Sequence, residues 1–351
     1  MSSFHQLTVK DIKREANNAI GVVFEVPESL KEVYNFKAGQ YITLKTAING
    51  NEVRRDYSLC SSPKSGELKV AIKEVKDGTF SAYANTSLKV GDILEVAPPK
   101  GRFVFEPNDN ITKNIAAFAA GSGITPILGI IKCALEEEIH SKIILVYGNK
   151  TTKDTMFLDE LLDLQHNNKE RFSIQFVFSQ QDNDDSIFGR IEKSTVNYVM
   201  KNKHKHIEVD AYYLCGPEAM IHTVKDVLTG HGIDENRIHY ELFKAAKPVD
   251  IVEAPVASGK TKITIIVDDE ETTFEMSQKQ TVLEAAIDED IDAPYSCQGG
   301  ICSSCLARVK EGAVTMRQNN ILTESEVAQG LTLTCQALPT TETLVVDYDD
   351  V

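Results

Sequence analysis

Four cysteines near the end of the chain, Cys297, Cys302, Cys305 and Cys335, stand at C-x4-C-x2-C-x29-C, and this spacing constrains the fold more than any other feature. Three lie in one loop, Tyr-Ser-Cys-Gln-Gly-Gly-Ile-Cys-Ser-Ser-Cys, and the fourth comes from a distant segment. Thiolates presented this way suit a [2Fe–2S] cluster, whose two irons need four sulfur ligands. Gly299 and Gly300 let the loop curl closely and leave backbone N–H groups free to face the sulfurs. The alternatives are a structural zinc and unligated buried cysteines. Zinc sites commonly use paired C-x2-C knuckles or histidine. Here only one C-x2-C pair occurs, and no histidine lies beyond His239. A disulfide framework is not expected in an intracellular chain of this size.

The chain has 351 residues, 42% hydrophobic and 25% charged, enough for two or three ordinary globular domains. Its net charge of −15 is uneven: Thr261 to Val351 holds 17 acidic and 5 basic residues, hence −12, leaving −3 for the first 260 positions. An acidic C-terminal unit argues against nucleic acid as a partner. It reads as a solvated surface, or as a patch that steers a basic redox partner. No N-terminal stretch has the layout of a signal peptide. The longest uncharged run, Asn114 to Ile131, carries Gly121, Gly123, Pro126 and Gly129. A strand, a turn and a helix start explain it better than a membrane span. A cytoplasmic protein without a membrane partner is expected.

Patterning changes along the chain. Ala19–Val26, Gln40–Lys45, Arg54–Cys60 and Leu68–Lys73 have alternating or β-branched character between turn residues, as in an antiparallel barrel. Beyond Asn110, the apolar runs Ile115–Ala120, Lys142–Tyr147, Phe172–Phe178 and Ala211–Cys215 alternate with helix-length segments, which predicts a parallel α/β sheet. Lys244 to Lys260 reads as a linker. Strands at Lys262–Val267 and Thr272–Met276 and a helix from about Thr281 open a last unit around the cysteine loop. Domains are thus expected at 1–110, 111–243 and 261–351, with 244–260 as linker. The Lys/His alternation from Lys201 to His206 reads as a solvated loop.

Two motifs mark the carboxyl ends of strands. Ala120-Gly121-Ser122-Gly123-Ile124-Thr125-Pro126 follows an apolar run and opens a helix, where backbone N–H groups favour a pyrophosphate. Cys215-Gly216-Pro217 ends another run before a helical segment. Cys215 there either lines a nicotinamide pocket or belongs to an ordinary strand-to-helix turn. In Arg55-Asp56-Tyr57-Ser58, Arg suits a phosphate, Tyr a flat ring and Ser a ring nitrogen, although the same residues also suit a half-exposed strand. Gly78-Thr79-Phe80-Ser81 starts a short helix that can hold the other side of a pyrophosphate.

Taken in order, Arg-x-Tyr-Ser, Gly-x-x-Ser, Gly-Ser-Gly-Ile-Thr-Pro and Cys-Gly-Pro-x-x-Met resemble the ferredoxin–NADP reductase superfamily, and Ala38-Gly39-Gln40 fits that family's barrel. The cysteine loop resembles the plant-type ferredoxins. Together these narrow the resemblance to oxygenase reductases. End to end the chain is similar to the reductases of phenylacetyl-CoA epoxygenases, on Ser3–Val9, Leu59–Ser62 and Leu333–Pro339. The resemblance implies an antiparallel β-barrel flavin domain, an α/β parallel-sheet nucleotide domain and a β-grasp ferredoxin domain.

It also implies FAD. Arg55 and Ser81 would bind its phosphates, Tyr57 would lie against the isoalloxazine, and Ser58 would approach its reactive nitrogen. Ala71 to Lys73 and Gly78 to Phe80 would contact it mainly through backbone. Gly121, Gly123 and Thr125 would hold the nicotinamide nucleotide, with Cys215, Gly216 and Pro217 beside its ring. Glu241 and Phe243 would close the site, so Ser58, Cys215 and Glu241 are the expected catalytic set. No arginine follows Ser179, which leaves Lys150 and Arg190 as candidate cations for a 2′-phosphate. NADPH is therefore expected, with NADH as the alternative.

The implied activity passes electrons from NADPH through FAD and the [2Fe–2S] cluster to oxygenase subunits, here a diiron epoxygenase complex. A reductase of another hydroxylase or demethylase has the same build. A non-catalytic redox-sensing scaffold is a rival of a different class, although it would need neither Arg55–Ser58 nor Cys215–Pro217.

Overall fold

Six antiparallel strands open the chain in the computed structural model, which describes residues 4–108, 112–243 and 259–351. They are β1 (His5–Ala16), β2 (Ala19–Glu25), β3 (Tyr41–Ile48), β4 (Asn51–Ser58), β5 (Leu68–Lys73) and β6 (Ile93–Val96), in the order β4-β3-β6-β1-β2-β5. A bridge between Leu59 and Val70 joins the two edges, so the sheet curls into a barrel. Alternate residues point inward: Leu7, Val9, Ile20, Val22, Ile42, Leu44, Val70 and Ile72 fill the core. Helix α1 (Thr79–Thr86) follows β5 and adds Phe80 and Ala84 to that core. The sequence pattern did not reveal β1. Leu7 and Val9 are its only fully buried residues, and its other positions carry charge or partial exposure.

The next strands are β7 (Ile115–Ala120), β8 (Ile143–Asn149), β9 (Phe172–Phe178), β10 (Ile187–Phe188), β11 (Ala211–Gly216) and β12 (Ile238–Leu242). Every pairing among them is parallel, in the order β10-β9-β8-β7-β11-β12. The order reverses at β7, between β8 and β11, and α/β proteins bind ligands at such a switch point. Helices α2 (Ile124–Glu137), α3 (Leu158–Asn167), α4 (Lys193–Asn197) and α5 (Glu218–Gly230) lie between the strands.

The uncharged run from Asn114 is β7, a turn and α2, as its glycines and proline require. Helix α2 is apolar on nearly every side because it is covered on both: eleven of its residues are buried, and a Cβ on Gly129 would stand 2.9 Å from the Leu59 carbonyl oxygen at the end of β4. Among the described residues, no helix is long and apolar enough to cross a membrane. The Lys/His stretch differs from the loop expected: Tyr198–Lys203 forms a π-helix, and His204 is buried with its Nε2 3.4 Å from Ser173 Oγ. Val199 anchors this segment in the core, which its charged neighbours conceal in the sequence.

Phe4–Phe243 make one compact unit, and residues 259–351 belong to a second. The expected linker lies, up to residue 258, outside the described residues. The second unit holds β13 (Lys260–Val267), β14 (Glu270–Ser277), β15 (Leu306–Glu311), β16 (Val314–Met316), β17 (Leu331–Leu333), β18 (Ala337–Pro339) and β19 (Thr343–Asp347). Five of these form a sheet in the order β14-β13-β19-β15-β17, and β16 pairs with β18. Helix α6 (Val282–Asp288) starts at a capping box in which Thr281 and Glu284 exchange hydrogen bonds, a cap worth about 1 kcal/mol. Its Val282, Leu283, Ala285 and Ala286 join Ile263, Ile265, Leu344 and Val346 in the core, and α7 (Glu324–Ala328) follows. Cys305, immediately before β15, and Cys335, in the turn between β17 and β18, belong to this core.

Candidate active site

Three segments far apart in sequence meet at the switch point. Antiparallel pairing with β3 sets the end of β4, placing Ser58 opposite Tyr41. Parallel pairing of β11 with β12 sets Cys215 opposite Glu241. Ser58 Oγ then donates to Glu241 Oε2 at 3.3 Å, across 183 positions of chain. Ser58 is buried and Cys215 is fully so. Burial pushes the Glu241 carboxyl up to about 8, and the Asp56 charge adds to this while the Ser58 hydrogen bond opposes it. Burial, with help from Glu241, raises the Cys215 thiol well above its usual range, so Cys215 is a neutral thiol.

Glycines bring the nucleotide turn onto this group. A Cβ on Gly123 would stand 2.1 Å from the Cys215 carbonyl oxygen and 2.7 Å from the Gly216 nitrogen, so no side chain fits there. Gly121 has φ +56°, and its carbonyl accepts a hydrogen bond from the Tyr147 hydroxyl at 3.0 Å. Thr125 Oγ1 donates to the Ser122 carbonyl at 3.0 Å and closes the first turn of α2. Pro217 precedes α5. Phe243 packs, half-buried, against the core that contains α2.

The barrel contributes a ring and a cation. Tyr57 is half-buried against Phe80 at 5.6 Å between ring centroids, with Arg55 two positions back and exposed. Phe80 itself is buried in the barrel core. Ser81 Oγ accepts from the Val75 N–H at 3.1 Å, and a Cβ on Gly78 would lie 2.5 Å from that oxygen, so the turn leaves no room for a side chain at position 78. Ala71 is buried on β5. Lys73, at the end of β5, reaches towards the nucleotide turn: its Nζ is 3.9 Å from where a Gly121 Cβ would stand and 3.5 Å from the Asp154 carbonyl. Burial lowers its pKa, and Lys150 adds to this, so an anion at this place would relieve both. Lys150 and Arg190 are both exposed, beyond the ends of β8 and β10.

The donor set suits both organic cofactors. It offers a flat aromatic face, cations, a buried hydroxyl beside a half-buried carboxyl, and backbone turns that a side chain would block.

In the second unit the cysteine sulfurs form two pairs. Cys302 Sγ lies 3.1 Å from Cys297 Sγ, and the Cys305 thiol donates to Cys335. Among the described residues no three His, Cys, Asp or Glu side chains group as ligands of a single ion. Two pairs match two irons with two thiolates each. The Cys302 thiol, then the backbone N–H groups of Gly299, Ile301 and Cys302, pull Cys297 down to about 6, against the effect of burial. Cys335 is lowered by the Cys305 thiol, whereas Cys305, as donor and by burial, is raised. A loop that stabilises sulfur charge before any metal binds is suited to thiolate ligands. Gly300, with φ +67°, admits no Cβ: it would stand 2.9 Å from the Gln318 carbonyl oxygen.

Comparison with known proteins agrees with this arrangement. Residues 6–105 match an oxidoreductase FAD-binding domain, 118–226 an oxidoreductase NAD-binding domain, and 265–340 a 2Fe-2S iron–sulfur cluster binding domain. The chain is 36% identical to a subunit of the 1,2-phenylacetyl-CoA epoxidase of Escherichia coli (strain K12), over 99% of each chain. The chain belongs to this family of flavin and iron–sulfur reductases. It is also 31% identical to the ferredoxin reductase component of 3-ketosteroid-9-alpha-monooxygenase of Rhodococcus rhodochrous, over 97% of this chain and 96% of that one. The solved structure of phthalate dioxygenase reductase matches with a TM-score of 0.61 at 25% identity, over 98% of both chains. The protein is thus an oxidoreductase with FAD, NAD(P)H and a [2Fe–2S] cluster as its redox groups.

Two residues of the sites escaped sequence reasoning. Tyr147 sits inside an apolar strand, where nothing distinguishes it from a core aromatic, yet its hydroxyl holds the Gly121 carbonyl. Gln336 follows Cys335 and points its amide at the cysteine loop. Its position beside a ligand was the only signal available.

Proposed function

We propose that this chain is the NADPH-dependent reductase of a phenylacetyl-CoA epoxygenase, divided into working domains at 1–110, 111–243 and 261–351, and that its acceptor is the diiron oxygenase component. The observation that carries the site assignment is the contact of Ser58 with Glu241 beside Cys215. It joins the barrel to the nucleotide sheet at one part-buried, protonatable point. The acceptor assignment rests on the likeness to the phenylacetyl-CoA epoxidase component of Escherichia coli.

When bound, the flavin turns a two-electron donor into a source of single electrons, which the cluster takes one at a time. The chain's own residues supply alignment and electrostatics. Tyr57 supports the flat ring, while Arg55, Lys73 and the 78–81 turn hold phosphate charge. The Gly121–Gly123 turn and Thr125 seat the nicotinamide nucleotide, and the neutral Cys215 thiol packs without charge beside its ring. The Glu241 carboxyl, held near 8, keeps its proton at neutral pH, and the Ser58 hydroxyl that donates to it would relay a proton between this carboxyl and the flavin's ring nitrogen when the cofactor is bound. Phe243 excludes water from the site, and Lys150 and Arg190 prefer the nucleotide that carries a 2′-phosphate.

Anaerobic titration with NADPH, repeated with NADH, tests the donor side. Flavin and [2Fe–2S] bands are expected to bleach together, and NADPH to act at the lower concentration. Bands that neither nucleotide bleaches would overturn the hydride site. Adding oxygenase subunits and phenylacetyl-CoA tests the acceptor side. Absence of NADPH-dependent epoxide with an oxygenase that is competent with its own reductase would reject this partner and favour another hydroxylase.

A further inference from the structure

We propose that Gln336 is a positioning residue of the iron–sulfur centre, whose side-chain amide hydrogen-bonds the fourth cysteine sulfur and clamps the three-cysteine loop to it. The proposal rests on the [2Fe–2S] assignment and adds a residue outside the four ligands. Gln336 Nε2 lies 3.6 Å from Cys335 Sγ and 3.0 Å from the Gln298 carbonyl oxygen. One primary amide has two N–H bonds, and these two acceptors use both. Gln298 follows Cys297 directly and has φ +52°, a backbone conformation that a glutamine adopts at a cost. The amide thus fastens a strained loop residue beside the first ligand to the sulfur of the last.

Three further observations make the contact a built one. Gln336 is 8% exposed, so its amide is removed from competing water. Its backbone is tied on both sides, with the Gln336 N–H donating to the Leu333 carbonyl at 2.8 Å and its carbonyl accepting from Arg317 at 2.9 Å. A Cβ on Gly300 would stand 3.0 Å from Gln336 Cγ, so the loop is shaped to lie flat on this side chain.

Two consequences follow. A donor to a ligand sulfur stabilises the extra negative charge of the reduced cluster and raises its potential. A clamp between the loop and the fourth ligand also slows loss of the cluster. Gln336→Met keeps the length and packing of the side chain but has no N–H. In the full chain with flavin and cluster, an EPR-monitored redox titration should show the reduced cluster disfavoured by about tenfold, which is about 59 mV for a one-electron couple. Iron release to a chelator should be several-fold faster, while the flavin spectrum and its bleaching by NADPH are unchanged. The wild-type [2Fe–2S] signal, measured alongside, checks the cluster assignment independently. An unchanged potential in Gln336→Met overturns the proposal and leaves Gln336 a packing residue. If Gln336→Met does not retain a cluster, Gln336→His, which restores an N–H at similar reach, decides. Recovery of the cluster in the histidine variant supports the amide's role, and failure in both variants rejects it.

Discussion

Gly123→Ala is the sharpest test of the nucleotide site, because the structure leaves its outcome little room. The new Cβ would stand 2.1 Å from the Cys215 carbonyl oxygen, whereas unstrained contacts of carbon lie at about 3.5 Å. The Cys215 carbonyl is backbone held by the β7–β11 pairing, and a Cβ is fixed to its own backbone, so neither can rotate away. The turn must retreat by about 1.4 Å, the difference between those distances. Overpacking of this kind costs about 1–3 kcal/mol, which a domain of this size survives. A misplacement of about 1 Å at a reacting pair costs about a hundredfold in rate. Stopped-flow reduction of the flavin by NADPH should therefore slow about a hundredfold. Reduction by dithionite, which needs no nucleotide site, should proceed as in the wild type. Flavin reduction by NADPH at the wild-type rate in Gly123→Ala would refute the assignment of this turn.

Cys335→Ser should abolish the [2Fe–2S] bands and most bound iron while flavin content and its bleaching by NADPH persist, since the two centres lie in different compact units. Glu241→Gln should flatten the pH dependence of stability. Unfolded, the carboxyl ionises near its ordinary 4.5, and folded it keeps its proton to about 8. The folded state thus binds more protons between those values, and stability falls as pH rises from 4.5 to 8. Melting temperature against pH should show that slope in the wild type and lose it in the variant. Lys150→Ala combined with Arg190→Ala should raise the KM for NADPH about tenfold or more and leave that for NADH nearly unchanged, while equal effects on both would show that neither cation reads the 2′-phosphate.

What could be read in the sequence was local. The three-cysteine loop, the Gly-Ser-Gly turn and each short apolar run lie within a few residues, and each appears in the structure where the pattern put it. The strand that escaped notice, β1, has only two fully buried side chains in twelve residues, too few to produce a visible period. The π-helix at Tyr198–Lys203 escaped for a related reason: it is anchored by Val199, while the charges around it signal solvent. Tyr147 and Gln336 were invisible because their roles depend on where a hydroxyl or an amide points, which spacing does not record.

The meeting of Ser58, Cys215 and Glu241 shows where local reasoning stops and topology takes over. Nothing in the composition of β4 indicates a carboxylate 183 positions later. Three independent constraints bring the groups together. Barrel closure through Leu59 and Val70 fixes the end of β4. The covered helix α2, pressed against the Leu59 carbonyl at Gly129, fixes the barrel against the nucleotide sheet. Parallel pairing of β11 with β12 then places Cys215 and Glu241 side by side at the point where strand order reverses. Each constraint is set by burial of apolar surface, and the polar groups are carried along by it. Burial also explains why the carboxyl keeps its proton: the packing that builds the site removes it from water. A larger residue at Gly129 should therefore disturb the Ser58–Glu241 contact, although it touches neither. Gly129→Val would show this as a fall in the pH at which Glu241 titrates, followed by infrared difference spectroscopy of its carboxyl band. An unchanged titration would mean that the barrel is held against the sheet by other contacts.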